Sequence, residues 1–145
     1  MITMDRALDQ LHHAALQRQA RSRVDAIDEL RAAKQVADRG LPQRDIAELL
    51  ATSQARVHRM LKALERSNNN VPVTPEEIIL RACAYDTSRD GLVQELARFD
   101  YTFGEEAPYP LEGRISGTWD EVVKALASGM ISQKEFDQVR AAIGR

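Results

Sequence analysis

Apolar residues recur at helical spacing along most of the chain, and the places where that rhythm fails mark the boundaries between elements. From about Asp5 to Asp38 the residues are strong helix formers carrying two short stripes. Leu8, Leu11 and Ala15 make the first, and Val24, Ile27, Leu30 and Ala37 the second. Between them "QRQARSR" has no large apolar side chain, so one long helix would expose this turn, whereas two helices would bend between Arg21 and Ser22. Next come Ile46, Ala47 and Leu50, and then Val57, Met60 or Leu61, and Leu64, the inner faces of two shorter helices. In "ERSNNNVPVTPEE" the run of Ser67, Asn68, Asn69 and Asn70 favours helix poorly, and Pro72 and Pro75 hold the residues before them extended. The pattern therefore divides the chain into an N-terminal helical arm over 1–21, a three-helix domain over 22–66, a linker over 67–73 and a helical domain over 74–145. A thin stripe such as that of the arm has to be covered, either by its own domain or by a second subunit. A homodimer is the expectation.

The last domain announces its helix starts. Thr74 precedes Glu77 by three residues, Thr118 precedes Glu121, and Ser132 precedes Glu135, the spacing of capping boxes in which hydroxyl and carboxylate each satisfy an amide donor. Pro75 stands where a first helical residue tolerates proline. These signals predict helices near 75–86, 119–128 and 133–143, with another near 89–99 opened by Thr87 or Ser88, and Gly129 and Gly144 as stops. The segment "DYTFGEEAPYPLEGRISG" reads as an ordered loop whose Tyr101, Phe103 and Tyr109 wrap over the helices. Trp119, Val122, Leu126, Ile131, Phe136, Val139 and Ile143 form its expected core. The fold class predicted is all-α, a three-helix domain with a helical arm and a second small helical domain.

Composition narrows the class. Aromatics at 5% suit helices better than sheets, no apolar run approaches the ~18 residues of a membrane span, and a lone Cys83 fits a reducing cytoplasm. The net charge of −2 hides an asymmetry. Residues 1–70 hold 12 Lys+Arg against 9 Asp+Glu, whereas residues 71–145 hold 8 against 13. Between residues 52 and 66, Arg56, Arg59, Lys62 and Arg66 are met only by Glu65. A basic element inside an acidic chain is either a local polyanion site or a solvated helix face.

What separates those two readings is the stretch "QRDIAELLATSQARVHRML", residues 43–61. A positioning helix, a tight turn and a recognition helix need small or apolar residues at fixed offsets and leave the outward positions free. Gln43, Ile46, Ala47, Leu50, Ser53, Gln54 and Val57 do this in an order that resembles the helix-turn-helix of bacterial and phage transcriptional regulators. The resemblance covers residues 22–66. It departs at His58, where serine is common, and at Ala51, where glycine is more usual; an alanine in a left-handed turn costs about 1 kcal/mol, so a tighter or more helical turn than usual is expected. Ser53 suits the cap of the second helix. Gln54, Ala55, Arg56 and Arg59 lie outward as candidate base contacts: arginine suits guanine, glutamine suits adenine and Ala55 suits a thymine methyl. Gln43, Arg44, Ser53, His58 and Lys62 are the candidate phosphate contacts.

Other chemistries find little to stand on. His12 and His13 point to different sides of a helix, and Asp9 with His13 falls short of the converging ligands a zinc site needs. Cys83 sits among Ile79, Ala82 and Ala84 as a small packed residue, and Asp86, Asp90 and Asp100 read as caps and turn residues. No phosphate loop, nucleophile elbow or carboxylate pair is visible, so neither an enzyme nor a cofactor or metal is expected. Residues 117–144, with Ser128–Gly129, Ile131–Ser132 and Glu135–Phe136, resemble the short helical hairpins that end many bacterial proteins and that support oligomerisation or partner recruitment. The expectation is a cytoplasmic, double-stranded-DNA-binding regulator without membrane contact, a repressor that occludes its operator as a dimer. The alternative is an antitoxin or other adaptor whose acidic C-terminal domain binds a partner protein.

Overall fold

The computed structural model describes residues 5–145. Among them lie seven helices, α1 (Arg6–Asp38), α2 (Gln43–Leu49), α3 (Gln54–Arg66), α4 (Pro75–Tyr85), α5 (Arg89–Arg98), α6 (Trp119–Ala127) and α7 (Gln133–Ala142). The single addition to the helices among the described residues is a two-residue antiparallel pair, β1 (Glu105–Glu106) with β2 (Arg114–Ile115), which pairs Glu105 with Ile115 and Glu106 with Arg114. It falls inside the segment expected to be loop. The chain forms two compact units: one is Ser22–Pro72, and the other is Val73–Arg145 together with the described residues up to Arg21.

In the Ser22–Pro72 unit, Ala33, Ile46, Ala47, Val57 and Met60 make one buried cluster, with Leu30, Leu41, Leu50 and Leu61 packed at its margin. Met60 rather than Leu61 takes the inner position left open by the spacing. Each large side chain buried here contributes roughly 1.5–3 kcal/mol. Part of the expected linker is fastened to this unit. The Arg31 guanidinium donates to the Val71 carbonyl, and the Asn69 amide donates to Asp38 Oδ1 at 3.0 Å. Asn69 and Lys34, both bonded to Asp38, hold its carboxyl below the usual range.

The helix α1 is unbroken through "QRQARSR", and that turn is not left wholly to solvent. Ala20 is buried, and Arg21 Nε donates to the Ala84 carbonyl at 2.9 Å. A small side chain carries the contact, which a search for large apolar residues does not register. The stripe Leu8, Leu11 and Ala15 remains exposed, Leu11 at 65%.

The C-terminal core gathers Ile79, Leu92, Leu96, Val122, Ile131, Phe136 and Val139, with Trp119 and Tyr101 against it. Tyr101 meets Trp119 edge-on at 5.1 Å between centroids, and Trp119 meets Phe136 at 5.4 Å. Burial pushes the Tyr101 phenol up to about 12, and its hydroxyl donates to the Leu96 carbonyl. Phe103 lies partly over this cluster, capped by the Arg145 guanidinium at 3.6 Å. Tyr109 departs from the expectation, because it is 97% exposed and covers nothing.

Of the three predicted capping boxes one forms complete, one forms its hydroxyl half, with the Glu77 carboxylate accepting from Arg81, and one does not form. Thr74 Oγ1 accepts from the Glu77 N–H, and Ser132 with Glu135 makes a complete capping box. Ser88, not Thr87, caps α5. At Thr118 the box is absent. Thr118 has helical dihedrals, and its hydroxyl accepts from the Thr102 N–H while Thr102 Oγ1 accepts from the Thr118 N–H, both at 2.9 Å. The loop has captured the cap. Gly117 allows it, since a Cβ there would stand 2.4 Å from the Thr102 carbonyl oxygen. Glu121 is accordingly engaged elsewhere, accepting from the Glu76 N–H at the start of α4.

A two-pronged ion pair ties two helices of this unit together. Arg89 Nε and Nη2 donate to the two Glu135 oxygens at 2.7 Å each, and Nη2 also reaches the Met130 carbonyl. Arg89, with the Ser132 amide, holds the Glu135 carboxyl down to about 2 from an ordinary value of 4.5. A carboxylate with a lowered folded value stabilises above its unfolded value, and that stabilisation is lost as pH falls through the folded one. Arg89→Ala is therefore expected to cost about 1–3 kcal/mol at pH 7, and the gap from the parent should close between pH 4.5 and 2. Thermal unfolding followed by Trp119 fluorescence measures it; a gap that stays constant down to pH 2 would contradict the pairing.

Candidate nucleic-acid interface

The helices α2 and α3 are joined by residues 50–53, and both ends of this turn are closed by short-range bonds. Ala51 has φ 54°, the left-handed conformation. The Thr52 N–H donates to the Ala47 carbonyl at 2.9 Å and the Ala51 N–H to the Glu48 carbonyl at 3.2 Å, which together form a Schellman stop. The turn has thus not tightened to avoid the alanine. Ser53 then caps α3, its Oγ accepting from the Arg56 N–H at 3.1 Å. A second Schellman stop ends α3 through left-handed Asn68, with the Asn69 N–H on the Leu64 carbonyl at 2.7 Å. Asparagine tolerates that conformation, so the run of asparagines has a local use.

Between these stops α3 buries Val57, Met60 and Leu64. At about 3.6 residues per turn, the positions directly opposite are Ala55, Arg59, Lys62 and Arg66, all exposed. They make a row about 16 Å long, with one small residue at its start and three cations after it. Lys62 makes a loose contact with Glu65 at 3.4 Å. Among the described residues, Arg59 and Arg66 have no ion-pair partner.

The remaining residues predicted at this face sit on its two flanks. Arg56 turns toward α1, where its Nε donates to Glu29 Oε1. Arg56, Arg59, Met60 and Glu29 line a shallow groove of about 260 Å³. On the other flank are Gln54 and His58; His58 Nδ1 lies 3.4 Å from Gln43 Nε2 at the start of α2, beside exposed Arg44. Gln43, Arg44, Ser53, Gln54, Ala55, Arg56, His58, Arg59 and Lys62 are thus all at the surface of one unit, on α2, α3 and the turn between them.

Two participants were not assigned from the sequence. Arg66 extends the outward row by the same spacing that links Arg59 to Lys62, so its signal was present. Glu29 was not legible, because its partner lies 27 residues away in another helix. Compared with protein-family models, curated proteins and solved structures, the chain finds no match in any of the three.

The turn makes its own prediction. Glycine has no steric cost at a left-handed position, whereas alanine does. Ala51→Gly should raise stability by about 1 kcal/mol without altering helix content. Circular dichroism during thermal and urea unfolding tests this; an unchanged or lowered midpoint would mean that Ala51 is not held left-handed.

Proposed function

We propose that α2, the turn and α3 are a helix-turn-helix that binds double-stranded DNA, and that the protein is a transcriptional regulator repressing by operator occlusion. The observation that carries this reading is the row Ala55, Arg59, Lys62 and Arg66, a cationic face without large apolar residues on a chain of net charge −2. A helix is narrow enough for the major groove, and lysine and arginine on its outer face neutralise phosphates. In this reading Gln54, Ala55, Arg56 and Arg59 meet base edges, while Gln43, Arg44, Ser53, His58 and Lys62 meet phosphate. Arg66 joins the phosphate contacts.

The exposed stripe of Leu8, Leu11 and Ala15 supports a homodimer, since a second copy would remove it from water. A two-fold dimer calls for a pseudo-palindromic site with half-sites about 34 Å apart or a multiple of that. A second reading, a partner-binding adaptor of the antitoxin kind, is favoured by the acidic C-terminal half and its uncovered Tyr109, Leu111 and Ile115. Both functions fit in one chain.

Arg59→Ala in the full chain should weaken binding to a selected duplex by about 1–3 kcal/mol, while Lys134→Ala on α7 should leave it unchanged. Equal effects of the two substitutions, or no binding by the parent, would remove the reading. Leu11→Glu should shift the mass in solution from dimer to monomer; a parent that is already monomeric would remove the dimer.

A further inference from the structure

We infer that Glu29 is a positioning residue for Arg56 that raises the sequence selectivity of the α3 face, an inference that rests on the DNA-binding reading above. The pair joins α1 to the first turn of α3 at the rim of the unit, with the Glu29 side chain 25% exposed and that of Arg56 46% exposed. Core packing does not require it, because α3 is already held by Val57, Met60 and Leu64 on a different side.

What the carboxylate changes is the behaviour of the arginine. An untethered arginine pairs with any phosphate within reach, a contact that carries no sequence information. With Nε engaged by Glu29, the guanidinium plane is fixed and its charge is partly neutralised, while its Nη donors remain for an acceptor at one defined position. That restraint penalises diffuse phosphate contacts more than a directed contact to a base edge. Arg59, one turn further along, has no such carboxylate among the described residues and keeps its full attraction to the backbone. One arginine is thereby reserved for selectivity, beside others that supply affinity.

The test uses the full chain and two duplexes of equal length, one selected for binding from a random pool and one of random sequence, across a salt series. Glu29→Gln should tighten binding to the random duplex roughly three- to tenfold. It should also steepen the salt dependence by about one unit and lower the selected-to-random affinity ratio. In an Arg56→Ala background the same substitution should change none of the three. A ratio unaltered by Glu29→Gln overturns the inference while the parent's binding keeps the DNA reading. An equal effect in the Arg56→Ala background also overturns it, because Glu29 would then act as a bare charge. Failure of the parent to bind either duplex removes the DNA reading and this inference with it.

Discussion

Burial of Val57 and Met60 in the cluster that also holds Ala33, Ile46 and Ala47, and of Leu64 one turn further along the same face, governs what α3 can present to solvent. A helix of 13 residues has one inner face, and once that face is committed the outward row follows from the helical repeat. The cost of rotating α3 would be the exposure of three large side chains, several kcal/mol in all. No surface ion pair, at about 0–1 kcal/mol, competes with that. The cations on the opposite side are therefore fixed in place by the apolar residues of the inner face.

The turn before α3 serves the same constraint. Ala47 sits in the core with 6% of its surface exposed, and its carbonyl also accepts the closing bond of the Schellman stop. One small residue thus joins the core to the turn. The protein tolerates a left-handed alanine at position 51 because the two turn bonds and the Ser53 cap over-determine the conformation. The C-terminal unit follows a different logic. There the polar bonds are long-range, with Thr102 on Thr118 and Arg89 on Glu135, and they fasten a loop and helix starts around an aromatic cluster.

Features written in local periodicity were legible in the sequence, and those that depend on distant partners were not. The capped starts at Thr74 and Ser132 and the stops at Gly129 and Gly144 follow from residues within one or two turns. The Thr118 cap was misread because Thr102, sixteen residues earlier, competes for its hydroxyl. The continuity of α1 through "QRQARSR" depended on the packing of Ala20, and the two-residue strand pair on residues eight and ten apart. At the candidate interface, spacing alone put Ala55 and Arg59 outward. It did not separate Arg56, which lies on the flank against Glu29, or Gln54 and His58, which lie on the flank nearer Gln43.

At 16.3 kDa the chain is well suited to backbone amide NMR, and titration with a random-sequence duplex shows which surface meets DNA. The largest amide shifts are expected along Gln54–Arg66 and at Gln43 and Arg44, with the effect weakening as salt rises. Shifts concentrated in residues 75–145, or no shifts at low salt, would contradict the DNA-binding reading.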